Sequence, residues 1–165
     1  MKLLRGVAFT LLFLFLAGLV GAAWVYKTAR VEIVSVEAGG TSTGEDSEGF
    51  EEIRRSIEEG TYTGTLFGAP EEWGNPEDYL YLTYHIQVKN NSLIPMERLE
   101  VVLTPVQGDI LQFLQEDSVT LQPGEETTLE ITLLTLRQTH PIRSLTLTCY
   151  GWGRCVTLTK TAGAE

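Results

Sequence analysis

Positive charge is scarce in this chain of 165 residues, which has 12 lysines and arginines against 22 aspartates and glutamates. Four of the basic residues and none of the acidic ones lie in the first 30 positions, so residues 31–165 hold eight basic and 22 acidic side chains, a net charge of −14. A surface this acidic repels phosphate backbones and anionic headgroups. We therefore exclude nucleic acid as a partner and interpret the negative charge as a source of solubility.

Histidines and the sequence motifs of catalytic or metal-binding sites are equally rare. Of the two histidines, His85 falls on the polar face of a predicted strand and His140 precedes a proline in a loop. The sequence has no G-x-S-x-G, H-E-x-x-H or glycine-rich phosphate loop. The acid pairs at 71–72 and 77–78 lack the D-x-[DN]-x-[DN]-G spacing of a calcium loop. We predict a non-enzymatic protein without a cofactor or a metal site.

Only two cysteines are present, Cys149 and Cys155. They have no histidine nearby to complete a zinc site, and five residues between them do not make the C-x-x-C motif of redox pairs. In a hairpin, the register that sets them opposite each other mixes polar and apolar side chains on both faces. A register shifted by one residue pairs Leu147 with Val156 and leaves a Gly151-Trp152 loop. It places apolar and polar side chains on separate faces of the hairpin, but it points the two cysteines to opposite faces.

An extra residue at Gly151 or Gly153 would resolve this conflict, because a β-bulge changes the facing of side chains locally. In an oxidising compartment, the sequence thus predicts a disulfide between Cys149 and Cys155 in preference to two thiols.

The one long uncharged stretch has twenty-one residues, from Gly6 to Tyr26. At about 1.5 Å per residue it reaches roughly 30 Å, the depth of a hydrocarbon core. Two basic residues flank it on each side: Lys2 and Arg5, then Lys27 and Arg30. This pattern predicts an N-terminal transmembrane anchor over residues 1–30, with residues 6–26 in contact with membrane lipid.

Two interpretations of the apolar stretch stay open. The small residues of Val20-Gly21-Ala22 match a signal-peptide cleavage site near Ala22, which would release a secreted domain. Trp24, Tyr26 and Lys27 instead resemble an interfacial belt with a basic residue, and on this ground we prefer a retained anchor. The size of the following domain and the usual behaviour of N-terminal anchors predict a cytoplasmic N-terminus and an extracytoplasmic C-terminal domain.

Between the anchor and the main β region, two local patterns appear. Residues 38–49 contain glycine, serine, threonine and acids without a large apolar side chain, which predicts a flexible loop. Residues 48–59 follow a helical pattern, with Phe50, Ile53 and Ile57 on one face, Ser47 as a cap and Gly60 as a stop. The narrow apolar face predicts a surface helix.

From Thr61 onward, the apolar residues recur every second position. The clearest strand is Tyr79 to Val88, and further strands are predicted at Leu99–Thr104, Ile110–Leu114, 119–121 and 129–133. About seven short strands separated by turns predict an antiparallel sandwich. Asn90-Asn91-Ser92 ends the clearest strand, and it also matches a glycosylation sequon.

The strand and turn pattern of residues 85–92, 99–103 and 119–125 resembles that of the immunoglobulin-like and fibronectin-III-like modules common on bacterial cell surfaces. The resemblance covers about residues 80–136 and implies a two-sheet fold with a binding or spacer role. The Cys-Trp-Cys spacing of antibody domains is absent. The predicted fold is therefore mainly β, an antiparallel immunoglobulin-like sandwich over residues 31–165 with one short surface helix.

Two functions follow. The first is binding of a protein or glycan, or assembly, at the cell surface through exposed aromatic residues at Tyr150, Trp152 and Trp73, although Trp152 would serve equally to cover an end of the sandwich. The second is an accessory subunit of a larger membrane complex. The first predicts exposed aromatic residues away from the membrane, and the second predicts an interface beside residues 24–36.

Overall fold

The structure, a computed structural model, describes residues 2–114, 119–140 and 142–162. The predicted domain of residues 31–165 extends outside these ranges at 115–118, 141 and 163–165. The chain begins with helix α1 (Lys2–Thr28), which is apolar along most of its length. Its segment Phe9–Thr28 has a mean hydropathy of 2.1 and is long and apolar enough to cross a bilayer.

Two antiparallel sheets follow α1, and they account for most of the remaining described residues. The strands are β1 (Val31–Ser42), β2 (Gly64–Leu66), β3 (Tyr79–Asn90), β4 (Met96–Thr104), β5 (Asp109–Phe113), β6 (Val119–Leu121), β7 (Glu126–Leu136), β8 (Arg143–Gly151) and β9 (Arg154–Ala162). One sheet has the order β1-β3-β7-β5-β2, and the other has the order β6-β4-β8-β9. The prediction of a mainly β, antiparallel fold is confirmed.

The two sheets share one apolar core. In β3, the side chains of Leu82, Tyr84, Ile86 and Val88 alternate with more exposed ones and are all buried. From the other sheet they meet Val101, Leu103, Leu121, Leu145 and Leu147. Burial raises the pKa of Tyr84 in this core to about 12. This period of two, read from the sequence, therefore identified the inner face of β3.

Strand directions divide the domain into two ends. Val31 pairs with Asn90, and Gly151 pairs with Arg154, so the start of β1 and the tip of the β8–β9 hairpin lie toward α1. We call this the helix-proximal end, formed by residues 29–31, the connections 91–95 and 122–125, and the hairpin tip 151–154. The opposite end, the far end, holds the connections 105–108 and 137–140.

The second helix, α2 (Ser47–Glu59), confirms the predicted surface helix. Its N-cap is Asp46 and not Ser47, because the Asp46 carboxylate accepts from the Gly49 N–H at 3.1 Å. Gly60 ends it with a φ of 71°. Its apolar face packs on the outer side of the five-stranded sheet, against Tyr79, Ile110, Leu111 and Leu134.

The prediction of a flexible loop over residues 38–49 is wrong. Strand β1 continues to Ser42, with Ala38 opposite Tyr84 and Gly40 opposite Leu82, and a short 3₁₀ helix spans Thr43–Asp46. The segment needs no large apolar side chain because it is held by backbone hydrogen bonds to β3. The buried Thr43 hydroxyl adds to these by donating to the Tyr79 carbonyl at 3.2 Å and to that of Pro76.

The structure contradicts the predicted disulfide. In the β8–β9 hairpin, Cys149 lies opposite Val156 and Tyr150 lies opposite Cys155, without a bulge. The two side chains therefore point to opposite faces, and both cysteines are free, with Cys149 buried and Cys155 exposed. The two-residue loop is Trp152-Gly153, one position later than predicted, and its φ angles of 48° and 76° fit a type I′ turn.

A buried ion pair joins β5 and β8 near the far end. The Arg143 guanidinium contacts the Asp109 carboxylate twice, at 2.6 Å and 2.9 Å, and both side chains are fully buried. The carboxylate also accepts from the Thr135 hydroxyl and from the Val106 N–H, each at 2.8 Å. Four donors thus balance one buried negative charge.

Candidate functional site at the helix–domain junction

The last turn of α1 is capped by a side chain from the distant strand β9. Carbonyl groups in the final turn of a helix have no partner within the helix. Arg154 donates from Nη1 to the carbonyl oxygens of Tyr26 at 2.7 Å and Lys27 at 3.4 Å, and its guanidinium carbon lies 5.6 Å from the centre of the Tyr26 ring. The arginine therefore satisfies orphan carbonyls, opposes the negative end of the helix dipole and forms a cation–π contact.

The residues between α1 and β1 are equally well held. Ala29 and Val31 are each only 5% exposed within the core, and Val25 packs against the same cluster. The Arg30 carbonyl accepts from the Asn91 N–H at 3.0 Å. The helix is thus attached to the domain by buried contacts and hydrogen bonds rather than by a free linker.

A second basic residue of β9 strengthens this attachment. The register of β1 against β3 shifts between Ile33 and Ser35, so Val34 is bulged out. Lys160 donates to the carbonyl oxygens of Ile33 at 3.1 Å and Val34 at 3.4 Å. Through Lys160 and Arg154, β9 binds both the end of α1 and the first strand of the other sheet.

Asn90 fixes the connection 91–95 beside this junction. Its amide nitrogen donates to the carbonyls of Ile94 at 2.8 Å and Leu121 at 3.0 Å, and its amide oxygen accepts from the N–H and hydroxyl of Ser92 at 3.0 and 2.5 Å. Asn90 is completely buried and uses both amide hydrogens. The match to a glycosylation sequon is therefore not a modification site in the folded domain.

The predicted site residues fall in two separate places. Trp152, 62% exposed, and Tyr150, 42% exposed, lie at or beside the tip of the β8–β9 hairpin at the helix-proximal end. Trp73 instead packs against Phe50 and Tyr79 beneath α2, at ring-centre distances of 5.8 and 5.7 Å. The structure therefore does not join Trp73 with the other two in one aromatic patch.

The predicted interfacial residues Trp24, Tyr26 and Lys27 occupy the last two turns of α1 and are exposed. They lie next to the hairpin through the contact of Arg154 with Tyr26. Sequence reasoning missed Arg154, Lys160 and Asn91, because their partners are 60 to 130 positions away or are backbone atoms. No local pattern marks such contacts.

Other ionisable groups are dispersed. His85 is exposed, with Nδ1 3.8 Å from the Glu130 carboxylate, and His140 accepts from the Ile142 N–H. Within the described ranges, no group of three or more histidines, cysteines or acids is arranged to hold a metal ion. Burial is the main cause that raises the pKa of the Cys149 thiol to about 11, which keeps it protonated and unreactive at neutral pH.

The two cysteines should differ sharply in reactivity. We expect a maleimide to modify one site, Cys155, in the native full-length protein and both sites after denaturation, because Cys149 is inaccessible and protonated in the fold. Mass spectrometry of the labelled protein and its peptides measures this. A Cys155→Ser variant, which should stay unlabelled when native, is the control. A two-hydrogen mass increase on reduction would instead show that the cysteines are bonded.

No protein-family model matches this sequence, and no curated protein matches it. Among solved structures, the chain is similar to the crystal structure of a FixG-related protein from Vibrio parahaemolyticus, with 13% sequence identity. The match covers 50% of this chain and 77% of the other, with a TM-score of 0.32. A similarity at this level supports no conclusion about fold or function.

Proposed function

We propose that this chain is a single-pass membrane protein with a non-catalytic domain for assembly at the cell surface, acting as an accessory subunit of a larger membrane complex. Helix α1 is the retained anchor, the N-terminus is cytoplasmic and the domain is extracytoplasmic. The finer architecture proposed for the two sheets is an immunoglobulin-like sandwich. Its support is the shared core of a five-stranded and a four-stranded antiparallel sheet.

The observation that carries this proposal is the close attachment of the domain to α1. Arg154 caps the helix, and Ala29 and Val31 are buried in the core, so the domain is held beside the anchor. A receptor module that searches for distant ligands gains from a flexible tether, whereas a subunit that fits beside membrane-embedded partners gains from a fixed orientation.

The distribution of aromatic residues gives further support. The accessory-subunit hypothesis places the interface beside residues 24–36, and Tyr150 lies at that end. The surface-binding hypothesis requires exposed aromatic residues away from the anchor, where Trp73 is instead packed against Phe50 and Tyr79. The helix-proximal end is therefore the better candidate for an interface.

Three measurements on membranes from cells that express the full-length chain test this function. Alkaline carbonate should leave the unprocessed chain in the membrane, and protease added to intact cells should degrade the domain but not an N-terminal tag. Photo-crosslinkers placed at Val20 on α1 and at Tyr150 should both capture the same integral membrane protein. A crosslinker at Leu136, which is exposed at the far end, is the matched control.

The outcomes separate the parts of the proposal. Release by carbonate, or a chain shortened near Ala22, would contradict the retained anchor. Capture of a partner from Leu136 but not from Tyr150 or Val20 would contradict the accessory-subunit role and favour binding at the far end.

A further inference from the structure

Two large apolar side chains project from neighbouring turns at the helix-proximal end. Leu93 is 66% exposed and Trp152 is 62% exposed. Gly151 brings their turns together, because a side chain there would lie 2.8 Å from Met96 Sδ and 3.0 Å from Ile94 Cδ1. We call Leu93 and Trp152, with the basic residues Lys27, Arg30 and Arg154, the basal surface.

Both apolar residues are held close to the end of α1. Trp152 lies two positions before Arg154, which binds the Tyr26 carbonyl, and Leu93 lies two positions after Asn91, which binds the Arg30 carbonyl. At about 3.3 Å per residue, each is within roughly 7 Å along the chain of a residue bonded to the helix or to its exit. The basal surface therefore lies immediately beside the point where α1 leaves the domain.

The charge of the basal surface differs from that of the rest of the domain. Three basic residues, Lys27, Arg30 and Arg154, lie at this end of a domain with a large excess of acids. Four acids also lie at this end: Glu32 accepts from the Asn91 amide and Glu125 from the Gln122 N–H, each at 2.7 Å, Glu126 pairs with Lys89 at 3.8 Å, and Glu97 is exposed opposite Tyr150. Basic residues around exposed apolar side chains suit the phosphate and acyl layers of a bilayer.

The turn itself gives an independent reason to expect a role for Trp152. Its φ of 48° lies in the left-handed region, where asparagine or glycine is favoured at this position of a type I′ turn. Tryptophan therefore does not stabilise the turn conformation. It also does not shield the hydrophobic core from solvent, because most of its side chain is exposed. Tryptophan is enriched at membrane interfaces, where its ring contacts acyl chains and its N–H remains hydrated.

We infer that the basal surface rests in the headgroup layer of the bilayer that α1 enters, with Trp152 and Leu93 in contact with lipid. This inference depends on the proposed retention of α1 as a membrane anchor. The lipid contact at two turns beside the helix exit holds the helix-proximal end of the domain against the membrane. A protein partner covering the same residues is the alternative that the experiment excludes or reveals.

Fluorescence quenching in vesicles tests this contact with the full-length chain. The protein is reconstituted into phosphatidylcholine vesicles, with or without lipids brominated near the headgroup end of the acyl chains. In a Trp24→Phe background, the emission of Trp152 is obtained by subtracting the signal of the Trp24→Phe/Trp152→Phe double variant, which contains only Trp73. We expect brominated lipid to reduce this emission by at least about twofold, as for an interfacial tryptophan.

Two reporter variants sharpen the test. Adding Leu93→Trp to the double variant should give emission that is quenched to a similar extent, because both turns face the lipid. Adding Leu136→Trp instead places the reporter on an exposed position at the far end, where no quenching is expected. Circular dichroism of each variant checks that the fold is retained.

The readouts for the anchor and the basal surface are separate. The emission of Trp24 alone is measured in a Trp73→Phe/Trp152→Phe variant, in which it is the only remaining tryptophan. Quenching of Trp24 without quenching of Trp152 would overturn the lipid contact while leaving the anchor intact, and it would indicate that the basal surface is available to a protein. Absence of quenching at Trp24 would overturn the anchor, and the lipid contact with it.

Discussion

Replacing Arg143 with methionine should lower the free energy of unfolding by about 3 to 5 kcal/mol, because the Asp109 carboxylate would remain buried without its charged partner. The remaining donors, from Thr135 and Val106, cannot compensate a full charge. Since small domains are stable by only about 5 to 15 kcal/mol, the variant should be close to unfolding at 37 °C. Urea titration of the full-length protein in detergent micelles, followed by tryptophan fluorescence, measures the change.

Two further variants control this result. Arg55→Met removes an exposed arginine of α2 and should change stability by less than about 0.5 kcal/mol. The double variant Asp109→Leu/Arg143→Met removes both charges and should be more stable than Arg143→Met alone, because an apolar pair leaves no buried charge. A loss of less than about 1 kcal/mol for Arg143→Met would show that the pair is not buried as described.

Replacing Asn90 with aspartate should also be severely destabilising, by about 3 kcal/mol or more at neutral pH. The variant keeps the shape of the side chain but loses both donors, so a carboxylate would face the carbonyl oxygens of Ile94 and Leu121. The exposed neighbour provides a control, since Asn91→Ala removes one surface hydrogen bond and should cost less than about 1 kcal/mol.

The pH dependence of the Asn90→Asp variant gives a specific signature. Burial beside two carbonyl oxygens favours the neutral acid, so the folded-state pKa of the new carboxyl group should be raised above its unfolded value. A raised folded pKa means that the stabilising contribution is present at low pH and lost as the pH rises through it. The stability deficit relative to the parent should therefore be smaller at about pH 4 than at about pH 7. An equal deficit at both values would show that position 90 is hydrated.

The secondary structure followed from local patterns where side chains decide it. The period of two identified the strand at Tyr79 to Val88, and the apolar face of Phe50, Ile53 and Ile57 identified α2. Both elements bury one face, and burial of one face produces a periodic pattern of apolar residues in the sequence. The loop prediction over residues 38–49 failed because β1 is stabilised there by backbone pairing with β3, which leaves no apolar signal. Backbone hydrogen bonds are common to all residues and so cannot be read from side-chain patterns.

The candidate site was predictable only in part. Trp24, Tyr26 and Lys27 were predicted to be interfacial because amphipathic residues at the end of an apolar run are an interfacial pattern; they lie exposed at the end of α1, and their contact with a membrane stays a prediction. The role of Arg154 was not predicted, because its partners are helix carbonyl groups more than 120 positions away in the sequence. The disulfide prediction failed on a single step of register: a shift of one residue moved Cys155 to the opposite face from Cys149.

The capping of α1 by Arg154 has a mechanical consequence. An apolar helix adjusts its tilt when the thickness of the surrounding lipid changes. Arg154 joins the helix end to β9, and Ala29 is buried in the core, so a change in the tilt of the proposed anchor would rotate the two sheets with it. With α1 as the proposed anchor, the far end of the domain would move farthest, and a change in lipid thickness would become a displacement well above the bilayer.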